Sequence, residues 1–464
     1  MKKIIIIGGG ITGLSSAWKL SEKGCKVNVI ECDNSIGGLA KSIKIENYLF
    51  DIGPHSFFSE DEEIFKKVMD LFKGEPSEMP KYTDRSFKIL FNGKYVDYPI
   101  SAKGILFQMG FFSAILCPLS FAKSYIRTSI SSLLGKKIEY QNLTVKQWAI
   151  DNFGKYLYLN FFKPYTEQFW KFKTSDLSYR VIPSSKKLNF AKTLKHLLIN
   201  KYLELSKREP GKLSLVQREH LPCYYPKKGY GEIANRISKQ IKNNGGEIHT
   251  SQEVDKIIVN SNNFFDVKTK DKTFSADFVI STMPLNRVIT KIKPLHETKI
   301  IQSAKKLEYL SLVLVYLITK KKNILNCQYC YFVNRPYNRI SDMNSFSEYL
   351  SPKDENILAV EISCHYESDI WKSSDEEIFS MCIQEIEKDN FLKKTDVTNY
   401  KVIKIPSVYP IYRKDYEIYL KETEEYFAKI KNFFSIGRQG QFYYGDIDQM
   451  IRIGFDTADK IIRS

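Results

Sequence analysis

Gly8, Gly10 and Gly13 stand in G-x-G-x-x-G spacing, and Glu31 follows 18 residues beyond the last of them. That combination suits a dinucleotide. The first glycine permits a tight turn, the second lets backbone approach a pyrophosphate, and the third lets helix and strand pack closely. A helix starting there offers free N–H groups and partial positive charge to the phosphates. An acid at position 31 can accept ribose hydroxyls, which disfavours NADP and leaves NAD or FAD. A second glycine pair opens Gly37-Gly38-Leu39-Ala40-Lys41-Ser42. A nicotinamide domain has no need of it, whereas an extended flavin gains another backbone cradle; an ordinary turn is the plain alternative. Gly229, Gly231 and Ala234 repeat the spacing but follow Tyr225-Pro226-Lys227-Lys228, which is no buried strand, so they do not predict another nucleotide site. Cys327 and Cys330 form the only C-x-x-C, with no second pair or suitable histidine spacing, and no metal site is expected.

The elements that must hold these residues follow from hydrophobic period. Lys2 to Ile7 reads as a buried parallel strand, because four consecutive isoleucines leave no polar face. Ile11 to Lys23 has helical spacing, and Lys26 to Glu31 alternates as a second strand. Ile233, Ile237 and Ile241 mark another helix, Glu247 to Ile258 reads as strand, and Phe264–Thr269 with Thr273–Ile280 reads as a hairpin returning to the sheet. Thr144–Phe153 and Tyr156–Trp170 are helical. Ser311–Ile318 and Ile357–Ser363 are strands mixed with the helix Asp375–Glu387, and a final helix runs from Gln449 to Ile462. The expected fold class is α/β: a Rossmann-like FAD-binding domain with a parallel sheet, a helical insertion, and a mixed domain with an antiparallel sheet. The cofactor domain takes 1–75, 225–300 and 426–464, the helical domain 103–213, and the mixed substrate domain 76–102, 214–224 and 301–425.

Composition narrows the class. Of 464 residues, 43% are hydrophobic and 27% charged, which excludes collagen-like, disordered and disulfide-scaffold chains. The net charge of +17 suits an anionic partner: nucleic acid, acidic lipid or a phosphorylated small molecule. No Lys/Arg block resembles a nucleic-acid arm, so nucleic acid is not expected. Eight unclustered cysteines point to reduced thiols and a cytoplasmic setting. The chain opens directly on a strand, leaving no room for a signal peptide. Gly104 to Ala122 is apolar, flanked by Lys103 and Lys123, and approaches the roughly 20 residues of a span. Pro118 interrupts it, so a buried or membrane-surface helix pair is favoured over a span. Peripheral membrane contact through 104–122 and oligomerisation stay open.

The order GGGITG, Glu31, GGLAKS, then Phe50-Asp51-Ile52-Gly53-Pro54-His55-Ser56-Phe57-Phe58, resembles the superfamily of UDP-galactopyranose mutase, protoporphyrinogen oxidase and amine oxidases. The Gly-Pro-His-x-Phe segment is similar to the mutases. So are Tyr165-Thr166 with Trp170 (Y-T-x-x-x-W), Pro336-Tyr337-Asn338-Arg339-Ile340 (P-Y-T-R-I), and Gly437-Arg438-Gln439-Gly440 with Tyr444-Gly445-Asp446-Ile447-Asp448. The resemblance implies FAD, held by Gly8, Gly10, Thr12, Gly13 and Glu31, by Gly38, Leu39, Gly53 and His55, and by Val254. From the C-terminal motif it adds Gly437, Arg438, Asp446, Asp448 and Gln449. It implies pyranose–furanose interconversion of a UDP- or dTDP-linked hexose in polysaccharide biosynthesis, with N5 of the reduced flavin as nucleophile toward the anomeric carbon. Arg339, Tyr409 and Tyr444 would grip the diphosphate that leaves and returns, with His55 beside the flavin. Trp170, Tyr165, Arg180 and Asp446 would bind the rest of the nucleotide-diphosphate sugar. NAD(P)H would act as a transient reductant. Plain alternatives are a surface ion pair for Arg339, core packing for the tyrosines, Trp170 and His55, and helix capping for Asp446 and Asp448. The chain departs from the mutases at Leu310, where they commonly carry arginine, and at Phe442, where they carry tyrosine. The alternative activity is an FAD-dependent oxidase or dehydrogenase on an amine or tetrapyrrole-like substrate.

Overall fold

The structure, a computed structural model, describes residues 1–83, 86–91, 93–97, 111–133, 143–182, 221–260, 264–294 and 298–464. Strand Lys3–Ile7 buries all four isoleucines and pairs in parallel with Lys26–Ile30 on one side and Phe278–Ser281 on the other. Glu247–His249 and Phe433–Ser435 add the outer strands, giving a five-stranded parallel sheet drawn from three distant stretches of chain. Helix Ile11–Glu22 covers it, and the final helix Ile447–Arg463 lies so close that Ser16 Oγ donates to the Gly454 carbonyl at 3.1 Å.

Two sequence expectations break into pieces. Glu247–Ile258 is two strands, because Ser251 takes φ +56° and the Gln252 N–H turns to the Glu31 carbonyl at 2.8 Å; Val254–Val259 then joins a separate four-stranded sheet. The hairpin is Phe265–Thr269 with Thr273–Ala276, and the chain re-enters the parallel sheet at Phe278.

The mixed sheet has seven strands, in the order Val397–Pro410, Tyr309–Thr319, Asn356–Cys364, Arg339–Asp342, Tyr329–Phe332, Phe87–Phe91 and Lys94–Asp97. Its pairs are antiparallel except Tyr329–Phe332 with Phe87–Phe91. The two central strands, Tyr309–Thr319 and Asn356–Cys364, are buried throughout. In the neighbouring strand, Tyr409 faces Leu310 but Ile405 faces Leu312, so two extra residues bulge between them. Pro406 lacks the N–H a regular ladder needs, and Ser407 takes φ +58°. Gln439 Nε2 holds the bulge by donating to the Ser407 carbonyl at 2.6 Å. A bulge bends its strand and re-aims the side chains beyond it; here that side chain is Tyr409.

Helix Val145–Leu157 starts at a capping box: Thr144 Oγ1 accepts from Gln147 N–H, and Gln147 Oε1 accepts from Thr144 N–H. Gly154 breaks its regularity where the sequence pauses between Phe153 and Tyr156. A π turn, Tyr158–Phe162, then leads into Lys163–Trp170. Of the apolar segment 104–122, residues 104–110 lie outside the described residues. From Phe111 it is one helix, running through Pro118 to Leu133. Among the described residues no helix is long and apolar enough to cross a membrane.

Candidate active site

Gly10 occupies the N-cap of helix Ile11–Glu22 and brings no side chain to the first-turn N–H groups. Gly37 N–H donates to the Gly9 carbonyl at 2.7 Å, so the second glycine pair lies against the first turn. A Cβ on Gly38 would come within 3.0 Å of Gly10 Cα, and Gly38 has φ +57°. From the C-terminal motif, Gly437 reaches the same helix start: a Cβ there would lie 2.7 Å from Thr12 Oγ1. Glu31 is buried, its Oε2 accepting from Gly9 N–H at 2.6 Å and its Oε1 from Asp33 N–H at 2.9 Å. A carboxylate has about four acceptor positions, so room for a hydroxyl remains on Oε2. Val254 begins its strand two residues after Gln252, which is bonded to the Glu31 carbonyl. Leu39 sits in the short turn Gly38–Ala40. Asp446 caps the final helix, its N–H donating to Gln449 Oε1 at 2.9 Å, and buried Asp448 accepts from Ser59 Oγ at 3.1 Å. Capping therefore operates at this helix start, as the plain reading expected. Gly229 and Gly231 let their turn close on Ser42, whose Oγ accepts from Gly231 N–H at 2.8 Å.

A second group of residues gathers beside this cradle. Tyr409 and Tyr444 have ring centroids 5.3 Å apart, and Trp170 stands 6.2 and 6.4 Å from them. The Arg438 guanidinium lies 5.2 Å from the Tyr444 ring and 5.9 Å from that of Tyr409, held by a 2.6 Å bond from Nη2 to the Gly445 carbonyl. Phe169 adjoins Tyr409 at 5.4 Å, and Tyr165 adjoins Tyr331 at 5.8 Å. Tyr331 in turn lies 5.8 Å from the Arg339 guanidinium, with Tyr329 closer at 5.0 Å. Arg339 is gripped by Glu361, Nε to Oε1 at 2.7 Å and Nη2 to Oε2 at 2.9 Å. Burial works against the guanidinium's charge, but the Glu361 carboxylate more than offsets it and holds the pKa well above the usual value. Burial, reinforced by Tyr444 and Glu361, raises the Tyr409 phenol, so it stays a neutral hydrogen-bond donor.

Gly53 lies against the second group, since a Cβ there would lie 3.6 Å from Glu361 Oε1 and 3.9 Å from Arg339 Nη2. His55 stacks on Tyr230 at 4.9 Å and hydrogen-bonds the Ile52 carbonyl through Nε2 at 2.8 Å. Burial, then the Arg438 charge and more weakly that of Arg339, pushes its pKa down to about 4. Beneath this turn Asp51 is wholly buried and accepts from Ser42 Oγ, the Tyr225 hydroxyl and Tyr230 N–H. Burial pushes its pKa up to about 6 against those donors. Arg180 does not join the group directly. It pairs with Glu417 at 2.8 Å on a half-exposed surface, and it connects inward through Tyr416, which stacks on Tyr412, whose hydroxyl accepts from Tyr444 N–H.

Comparison with known proteins agrees with this geometry. Residues 11–462 match the flavin containing amine oxidoreductase family. The chain belongs to that family. Among curated proteins it is 28% identical over 158 residues to a probable flavin-containing monoamine oxidase A of Dictyostelium discoideum, covering 32% of each chain. It is 29% identical over 184 residues to a probable UDP-galactopyranose mutase of Klebsiella pneumoniae, covering 39% of this chain and 44% of the other. The matches thus span less than half the length of these relatives. Among solved structures, reduced UDP-galactopyranose mutase superposes with a TM-score of 0.82 at 21% identity, covering all of this chain and 96% of that one. A putative protoporphyrinogen oxidase from Exiguobacterium gives 0.70 at 14% identity, covering 100% and 99%.

Membership makes this a flavin-dependent enzyme, and the residues present fit a flavin dinucleotide. The uncapped helix start suits its phosphates, the Glu31 carboxylate its ribose, and the close packing of Gly10 with Gly38, and of Gly437 with Thr12, brings backbone close to that helix start. Sequence reading missed Glu361, Tyr331, Phe169 and the Asp51 network. For Glu361 a signal existed: it is the sole charge in Asn356-Ile357-Leu358-Ala359-Val360-Glu361-Ile362-Ser363-Cys364, a strand otherwise apolar enough to be central.

Proposed function

We propose that this flavoenzyme is a sugar-nucleotide mutase, interconverting pyranose and furanose forms of a UDP- or dTDP-linked hexose. The observation that carries the reading is the Arg438 guanidinium over the Tyr409 and Tyr444 rings, with Arg339, held over Tyr329 and Tyr331, near enough for its charge to act on the Tyr409 phenol. Guanidiniums and phenols are donors, and paired phosphates are acceptors that such donors grip strongly. The Nε–Nη2 edge of Arg339 is engaged by Glu361, which fixes the plane of the guanidinium; in this reading Nη1 is the donor to the diphosphate. Trp170 supplies an aromatic wall for the nucleotide. A reduced flavin, when bound, supplies a nucleophilic N5 toward the anomeric carbon. The protein's task is to hold the diphosphate nearby while it is detached, exclude water, and keep His55 neutral beside the ring. NAD(P)H serves as a transient reductant, and 1–75, 225–300 and 426–464 form the cofactor domain.

Rings facing a site also attract an amine cation, which favours an oxidase reading. Arg339 is balanced by Glu361, but the Arg438 guanidinium over the same rings opposes a cation and favours an anion. The test is nucleotide diphosphate binding to the flavin-loaded protein. Arg339→Ala should weaken it about tenfold to a hundredfold, the value of one charge-assisted contact, with the flavin spectrum retained. Unchanged affinity removes Arg339 from the clamp and the reading with it.

A further inference from the structure

Helix Phe111–Leu133 has two apolar sides. One packs inward through Cys117 and Ser124 and is fixed to the next helix, where Tyr156 N–H donates to Ser120 Oγ at 3.0 Å. The other faces out. Ile115, Leu119, Ile126 and Ile130 are 45, 63, 57 and 51% exposed, and their spacing of four, seven and four residues lines them along one stripe. Ala122 falls within it. Lys123 stands exposed on its shoulder with Arg127, which pairs with Asp151.

An exposed stripe of this size marks an interaction surface. The charge of the sequence on either side says what kind. Residues 98–138 contain no Asp or Glu, while they carry Lys103, Lys123, Arg127, Lys136 and Lys137, in a chain of net charge +17. A protein partner would need an acidic, apolar groove to match. A bilayer with anionic headgroups offers apolar depth and negative charge together, which is how interfacial helices bind. We propose that helix Phe111–Leu133 lies on an anionic lipid surface, with the stripe in the acyl boundary and its cations at the headgroups. This is independent of the reaction assigned above.

The experiment is flotation of the flavin-loaded protein with phosphatidylcholine vesicles, with and without phosphatidylglycerol. Binding should need the anionic lipid and weaken as salt is raised. The double variant Leu119→Glu/Ile126→Glu changes only outward side chains, so its melting temperature and flavin spectrum should match the parent, while vesicle binding falls by about tenfold or more. Lys123→Glu alone should weaken binding without abolishing it. Equal flotation of parent and double variant, or no flotation with either vesicle, overturns the proposal. So does light scattering that shows a parent dimer turned to monomer by the double variant, for then a second copy covers the stripe.

Discussion

At the scale of single residues, the site depends on protonation states set by burial and by neighbouring charges. His55 is the clearest case, held neutral with a pKa of about 4 against an ordinary value near 6.5. A histidine whose folded pKa is depressed contributes stability above its unfolded pKa and loses it as pH falls. The window runs from about 6.5 down to about 4, and the full effect is on the order of 3 kcal/mol. Asp51, pushed up to about 6, works in the opposite sense over nearly the same range, so melts are read as a difference: the stability of the parent relative to His55→Gln should fall as pH is lowered from about 6.5 to about 4. A difference that stays constant across that range places the titration elsewhere. Arg339 and Tyr409 were legible as candidates from short motifs. Glu361 was missed although it is the sole charge of its strand, because the apolar run around it reads as plain core.

At the scale of elements, the clamp depends on connections between distant segments. Gln168, on the helix that carries Tyr165 and Trp170, donates to the Phe332 and Tyr337 carbonyls at 3.0 and 2.8 Å and accepts from Asn334 N–H at 2.8 Å. It thereby ties that helix to the turn entering the Arg339 strand. Gln168→Ala would leave those backbone groups unpaired at a cost of about 1–3 kcal/mol. Its melting temperature and nucleotide affinity should fall together while the flavin spectrum stays; intact affinity in a destabilised protein would show that the tie does not position the site. The parallel sheet, the glycine turns and the final helix were readable because each rests on local period and spacing. The bulge before Tyr409 and the Gln168 tie were not, because they exist only once strands far apart in sequence have paired. The break of Glu247–Ile258 was hidden similarly: residue 252 bonds to residue 31, and no local pattern records that.

At the scale of the whole molecule, one family fold carries several activities, and a shared fold does not choose among them. What favours the mutase reading is the Arg438 guanidinium over the Tyr409 and Tyr444 rings, with Arg339 nearby, in a chain of net charge +17. The most direct measurement is anaerobic turnover of sugar nucleotides by the dithionite-reduced and the oxidised protein, with products separated by chromatography. The account predicts a furanose sugar nucleotide from the reduced enzyme alone, at constant flavin redox state. Equal product from the oxidised enzyme, or turnover only with oxygen uptake, would contradict it.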